Sequence, residues 1–252
     1  MAFKNSSRYT DKEIPTPKIW TQNGKGTRFE WVPDIIVLHI MEGTLIGTDS
    51  WFQNPDAGGS AHYGIGKNGE VHQYADEAHA CWANNPPRSP SARIVRRRQN
   101  VNANFYTIAI EHEGYTGQPW PDKMFNKSAR LVADICRRWN IPISRDHIIG
   151  HYEIDSIGRP NCPGTGLTDQ WSRYISKVQN YAYPPVSPPK PTPKPAPTPA
   201  PTPAPAPSPT PAPTPAPSPA PKPQPTNFIQ NLTRLYFEFI DNLITRITGK
   251  NR

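Results

Sequence analysis

DIIVLHI, residues 34–40, is a continuous apolar run rich in β-branched side chains, and it reads as a buried strand. The run ends on His39, and a turn containing Gly43 follows. Downstream, Thr48 is expected to cap a short helix through Trp51 and Phe52 that stops at Asn54-Pro55. AHYGIGKNGEVHQY (61–74) reads as a hairpin, two alternating runs around Lys67-Asn68-Gly69, because Asn-Gly favours a tight turn. TIAIEHEG (107–114) is a second apolar run that closes on charged residues. Leu131, Val132, Ile135, Cys136 and Trp139 recur at helical spacing, which predicts an amphipathic helix ending before Pro142. DHIIGHYEI (146–154) contains a short strand that runs into a loop ending at NCPG (161–164). A last helix carries Trp171, Tyr174, Ile175 and Val178 on one face. Strands and helices mixed in this order predict an α/β layer arrangement.

The chain divides by composition. Of its 34 prolines, 22 fall between Pro184 and Pro225, where alternating proline denies the backbone its ladder donors. Residues 1–182 are therefore expected to form a single globular domain and 183–226 an extended polyproline II spacer. At about 3.1 Å per residue, that spacer's contour reaches on the order of 130 Å. Residues 227–252 form a tail in which Phe228, Leu232, Leu235, Phe239, Leu243 and Ile247 belong to a wide apolar stripe. A lone helix cannot bury that stripe, so residues 227–248 are expected to meet a copy of themselves, another protein, a membrane surface or their own domain. Self-association comes first, because Arg234, Glu238, Asp241 and Arg246 mix both charge signs instead of forming a basic face.

The net charge of +8 is spread thinly, with only three of those charges on the front domain. Arg88, Arg93, Arg96, Arg97 and Arg98 cluster there, which suits a polyanion or simply a solvated loop. Cys81, Cys136 and Cys162 do not make a disulfide framework, and Cys136 falls on the apolar helical stripe. The N-terminal residues lack the apolar core of a signal peptide, and no stretch is long and apolar enough to span a membrane. The expectation is a protein made in a cytoplasm that reaches any outside substrate by a route other than ordinary secretion.

Hydrolysis at zinc needs three protein ligands and an open position for water, whose pKa the metal lowers toward ~7. Of seven histidines, His39 closes a buried strand, and His151 leaves a strand after Gly150, eleven residues before Cys162. Strand ends are rigid while the adjoining loop leaves an opening. Cys162 sits in a tight turn, where a thiolate matches zinc well. A nucleophilic cysteine with a histidine base fits the same residues, and spacing does not separate the two readings.

IIVLHIMEGT, SAHYGIGKNGEVHQY, TIAIEHEG and IIGHYEID followed by RPNCPG appear in this order at domain-scale spacing. Together they resemble the type 2 N-acetylmuramoyl-L-alanine amidases, a family that includes phage amidases and peptidoglycan recognition proteins, over about residues 30 to 180. The resemblance implies a mixed central β-sheet flanked by helices, and one Zn2+ ion held by His39, His151 and Cys162. It also implies that Glu111, at the end of its strand, is the general base, with Glu113 a lesser candidate on the same side. Many relatives carry a lysine two residues before the third ligand; here that position is Pro160, and Arg159 beside it is expected to stabilise the oxyanion instead. His79 resembles a histidine lining the substrate cleft, and Tyr63, with His62, is expected to pack or to line the floor.

The function so implied is hydrolysis of the amide joining N-acetylmuramic acid to L-alanine in bacterial peptidoglycan, in a phage or prophage endolysin acting at the wall after release. The expected partner is peptidoglycan, with no nucleic acid. A non-catalytic peptidoglycan-binding module and a cysteine-nucleophile peptidase are the competing functions.

Overall fold

The computed structural model describes residues 3–23 and 25–184. The expected tail, and all of the expected spacer beyond Pro184, lie outside them. The described chain begins with three short strands, β1 (Lys12–Glu13), β2 (Thr21–Gln22) and β3 (Lys25–Gly26), then β4 (Ile35–Ile40) and helix α1 (Leu45–Gln53). There follow β5 (Tyr63–Ile65), β6 (Val71–Gln73), α2 (Arg93–Arg97), β7 (Thr107–His112) and α3 (Asp122–Trp139). Strand β8 (Ile148–Gly150), a 3-10 turn at His151–Glu153, α4 (Thr165–Thr168) and α5 (Trp171–Ala182) complete it.

Six strands form one mixed sheet in the order β1-β6-β5-β7-β4-β8. β4 lies between β7 and β8 and is parallel to both, and all six of its residues are buried. A strand buried on both faces needs no polar alternation, which is why residues 34–40 read as one apolar run. The two faces nonetheless pack against different layers. Ile36, Leu38, Ile108 and Ile110 face the core built with α3 and α5, while Ile35 and Val37 pack with Val95, Tyr106, Ile149 and Ile154. By the period of two, His39 and Glu111 leave the sheet on the second face and His112 on the first.

The expected hairpin is β5 against β6, closed by residues 66–69. The expected amphipathic helix is α3, which buries Cys136 and is ended by Asn140 in a left-handed conformation. α1 begins one turn before the expected cap: Thr44, not Thr48, has the extended backbone and accepts Gly47 N–H at 3.1 Å. Thr48 instead gives its own N–H to the Thr44 carbonyl, so its hydroxyl faces no free N–H of a first turn. Asp49 anchors α1 to the sheet by accepting bonds from His72 Nδ1 and the Tyr74 hydroxyl, both at 2.8 Å.

Three of the five clustered arginines are engaged by the domain's own carboxylates. Arg98 grips Asp34 with two bonds of 2.8 and 2.6 Å, Arg93 meets Asp146 at 2.6 Å, and Arg88 meets Asp155 at 2.7 Å. Much of the charge that suited a polyanion is thus spent on tying surface segments together. No helix among the described residues is long and apolar enough to cross a membrane.

Candidate metal and catalytic site

Strand register builds the first half of the site. His39 of β4 stands opposite Glu111 of β7, and Leu38 stands opposite Gly150 of β8, which brings His151 level with His39. The two imidazole rings lie 4.5 Å apart at 61°. Gly150 is demanded by close approach: a Cβ there would stand 2.7 Å from Pro163 Cδ and 2.6 Å from the Tyr152 ring. Beneath the site, His112 Nδ1 lies 2.9 Å from the His39 carbonyl and Nε2 lies 2.8 Å from Ser128 Oγ. A ring nitrogen facing a carbonyl must carry the proton, so His112 is the neutral Nδ1–H tautomer and braces the end of β4 against α3.

A loop supplies the second half. Residues 155–162 leave the 3-10 turn and return Cys162 to β4, where its Sγ accepts Ile40 N–H at 3.4 Å. This loop is stapled to the segment after Trp82. Asp155 is fully buried and accepts from Arg88 Nε at 3.0 Å and Nη2 at 2.7 Å, Asn85 Nδ2 at 3.1 Å and Gly158 N at 2.8 Å. Burial alone would raise the Asp155 pKa, but these donors outweigh it and hold the group below the usual carboxylate range. The Arg88 guanidinium occupies the space beside Gly158, where an added Cβ would stand 1.5 Å from Nη2.

His39, His151 and Cys162 are all buried, and each offers a ligand atom within 4.8 Å of the other two. His39 Nε2 and His151 Nε2 have no hydrogen-bond partner among the described residues, nor does Glu111 Oε2. Buried polar atoms are ordinarily paired, so three orphans in one place mark a position shaped for something else. Two imidazoles and a thiol are a donor set suited to a tetrahedral metal ion with one open position. Burial, then the neighbouring His151, pushes His39 well below its ordinary pKa; burial and then Arg159 push His151 down to about 4. Both rings are therefore neutral and free to donate lone pairs. Burial raises the Cys162 thiol, and Glu111 raises it further, so a thiolate there requires a compensating cation.

Glu111 stands 3.9 Å from His39 Nδ1, too far for a hydrogen bond, and burial pushes its carboxyl up to about 8 against the opposing pull of Arg159. These groups open into a cavity of about 900 Å³, which Arg159 and Pro160 also line. Arg159 is exposed and gives one bond to the Gly158 carbonyl at 3.0 Å. Two other residues expected at the substrate cleft are placed elsewhere. Tyr63 is fully buried in the core, donating to Glu77 Oε1 at 2.7 Å; the His79 ring packs against the Gly26 backbone, and neither lines the cavity. Tyr63 points into the core because β5 is buried on both faces. Glu113 is likewise diverted, accepting Lys67 N–H at 2.7 Å.

The cavity also holds residues that the sequence does not single out. Glu42 has a left-handed backbone (φ 50°), and its carboxylate accepts both the N–H (3.0 Å) and the hydroxyl of Thr116, closing one rim. Trp51, Trp82 and Asn85 line the wall. Neither the exposure of these tryptophans nor their convergence on one cavity is visible in the sequence.

Comparison with known proteins places this geometry. The chain is 40% identical over 106 residues to N-acetylmuramoyl-L-alanine amidase A of Achromobacter lyticus, a match that takes in 41% of this chain. It spans about half (51%) of that relative's length. Among solved structures, the fold resembles a selenomethionine derivative of AmpD, with a TM-score of 0.55, 20% identity and coverage of 71% of this chain and 99% of that one. It also resembles a point mutant of PlyL, with a TM-score of 0.50, 17% identity and coverage of 67% and 97%. A family profile described as N-acetylmuramoyl-L-alanine amidase matches residues 30–165, more than half of the sequence and all of the site from β4 to Cys162, and the chain belongs to that family.

Proposed function

We propose that the protein hydrolyses the amide joining N-acetylmuramic acid to L-alanine in bacterial peptidoglycan, using one zinc ion held by His39, His151 and Cys162. The observation that carries this reading is the convergence of two unpartnered buried imidazole nitrogens and a thiol beside an unpartnered carboxylate, in one cavity. Zinc at such a site supplies an electrophile for the scissile carbonyl and lowers the pKa of water toward about 7. Glu111, on the neighbouring strand, takes the proton from the attacking water and returns it to the leaving amine of L-alanine. Arg159 replaces the usual lysine and presents its guanidinium to the developing oxyanion from the cavity rim. Cys162 acts as a ligand here; its buried, raised thiol argues against a free nucleophile.

The order of an amidase domain (1–182), a spacer (183–226) and an apolar-striped tail (227–252) supports a phage or prophage endolysin that acts at the wall after release, with the tail serving self-association or targeting. The decisive measurement uses the full chain on purified peptidoglycan, following new amine ends together with metal content. One zinc per chain is expected, with amine release abolished by chelation and restored by zinc. His151→Ala should lose both metal and activity. Wall binding without amine release would leave a binding module instead. Inactivation by alkylation that zinc removal does not mimic would leave a cysteine peptidase.

A further inference from the structure

Two tryptophans line the cavity and take no part in the chemistry described above: Trp51, 51% exposed, and Trp82, 41% exposed. Trp82 is held from behind. Its ring stacks on Trp20 with centroids 4.7 Å apart and planes at 20°, and Trp20 in turn meets the edge of Phe105 at 5.4 Å. Phe105 packs on Phe29 at 4.8 Å, and the Trp82 backbone N–H donates to Ser60 Oγ at 3.0 Å. Trp51 rides on α1, which Thr44 caps and Asp49 anchors to the sheet. Gly58 and Gly59 line the cavity with these rings, and a Cβ on Gly58 would meet nothing within 4 Å. Partly exposed aromatic rings, held in place at a cavity wall beside the open space over Gly58, offer apolar area that a ligand would cover.

The position of this surface says which part of a wall fragment fits. Trp82 is tied to Ser60, and α1 is anchored through β6, so the tryptophans belong to the β5–β6 end of the cavity. The charged lining residues Glu42 and Arg159 belong instead to the loops that follow β4 and β8. A stem peptide is studded with carboxylates and amines and has no use for a flat apolar face. A pyranose ring offers one face of axial C–H bonds and a rim of hydroxyls, which is the complement of an exposed indole. The Lys18 ammonium sits over the Trp82 ring, 5.3 Å from its centroid, as a cation–π contact that further fixes the ring.

We propose that Trp82, stacked on Trp20, forms with Trp51 a glycan subsite that binds neutral N-acetylated pyranose rings of the strand flanking the cleaved amide. The inference rests on the amidase reading, and it makes the enzyme selective for muramoyl peptides embedded in a glycan over the same peptide on a single sugar.

Titration calorimetry of the full chain with an N-acetylglucosamine tetramer, which has neither lactyl group nor peptide, tests the subsite apart from the chemistry. Saturable binding is expected, weakened at least tenfold by Trp82→Ala and by Trp51→Ala and largely retained by Trp82→Phe, with folding checked by circular dichroism. In turnover, Trp82→Ala should raise KM for a tetrasaccharide-borne muramoyl peptide at least tenfold more than for its single-sugar counterpart. No binding of the tetramer by wild type, or equal KM changes on the two substrates, overturns the subsite while the amidase reading stands. Competition for the site by free stem peptide also overturns it. Failure to release amine ends from any substrate, with tetramer binding intact, overturns the amidase reading alone.

Discussion

The two halves of the site are held by different physics. His39, Glu111 and His151 are set by strand register, locked from below by His112 and flanked by an apolar core that admits no slip. A one-residue shift would turn His39 or Glu111 to the other face and carry His151 out of level with His39. Arg159 and Cys162 sit on a loop with no strand of its own, and their placement depends on one buried carboxylate, Asp155, and the arginine that lies beside Gly158. Backbone ladders place the first half and side-chain hydrogen bonds the second. On the proposed mechanism the ladder-built half carries the base, Glu111, and the loop-borne half carries the charge, Arg159, that would meet the substrate.

The largest expected effect is on the strand-borne half. Glu111→Gln keeps the shape and removes the proton acceptor, so kcat should fall by about 10² to 10⁴. Zinc content and melting temperature should stay near wild type, because burying a neutral amide costs less than burying a carboxylate with no partner on Oε2. Retention of more than a tenth of the activity would remove Glu111 from proton transfer and return attention to Glu113.

The loop-borne half should respond more mildly and in a coupled way. Gly158→Ala drives a methyl group into the space of the Arg88 guanidinium, and Arg88→Gln removes that guanidinium, so both free the loop that carries Arg159. Each should lower kcat about tenfold, equivalent to ~1.4 kcal/mol in the barrier, and lower the melting temperature. The double variant should lose far less than the sum, since either change already breaks the same contact. Strict additivity in both rate and stability would mean that the staple does not position Arg159.

The same division decides what the sequence reveals. A strand buried on both faces writes itself as an unbroken apolar run, so β4 and β7 are legible in residues 34–40 and 107–114. His39 follows as the polar residue near the end of the first run and His151 as the one that leaves the strand within 146–154, whereas Glu111 is singled out by the family resemblance. Thr48 reads as the cap from sequence, and the backbone geometry gives that place to Thr44. The Arg88–Asp155 pair joins residues 67 positions apart, and nothing local distinguishes Arg88 from its neighbours Arg93 and Arg98, which pair with other carboxylates. Tyr63 and His79 look like cleft residues by motif, but the burial of β5 and the packing on Gly26 turn them away from the cavity. Trp20, Trp51 and Trp82 come from three separate segments, and their convergence is a property of the tertiary fold.

The smallest expected effect uses acid to separate the halves. The Asp155 carboxyl is held below its ordinary range when folded, and in the unfolded chain it titrates near 3.9. A depressed folded pKa contributes stability that is fully present above the unfolded pKa and is lost as pH falls toward the folded one, so the loss belongs to the region below about pH 4. Asp155→Asn should therefore start less stable at pH 6 and lose stability less steeply below pH 4. One group can account for at most about 1.4 kcal/mol per pH unit of that difference in slope. Asp134 is also held low, by Ser7 and Arg138 against the opposing effect of burial, so the variant should keep some acid sensitivity. Urea midpoints for the two proteins between pH 6 and pH 3 give the slopes directly. Curves that stay parallel throughout would show that the Asp155 charge adds nothing the loop needs, and the contrast between a ladder-built and a charge-built half would fail at its most specific point.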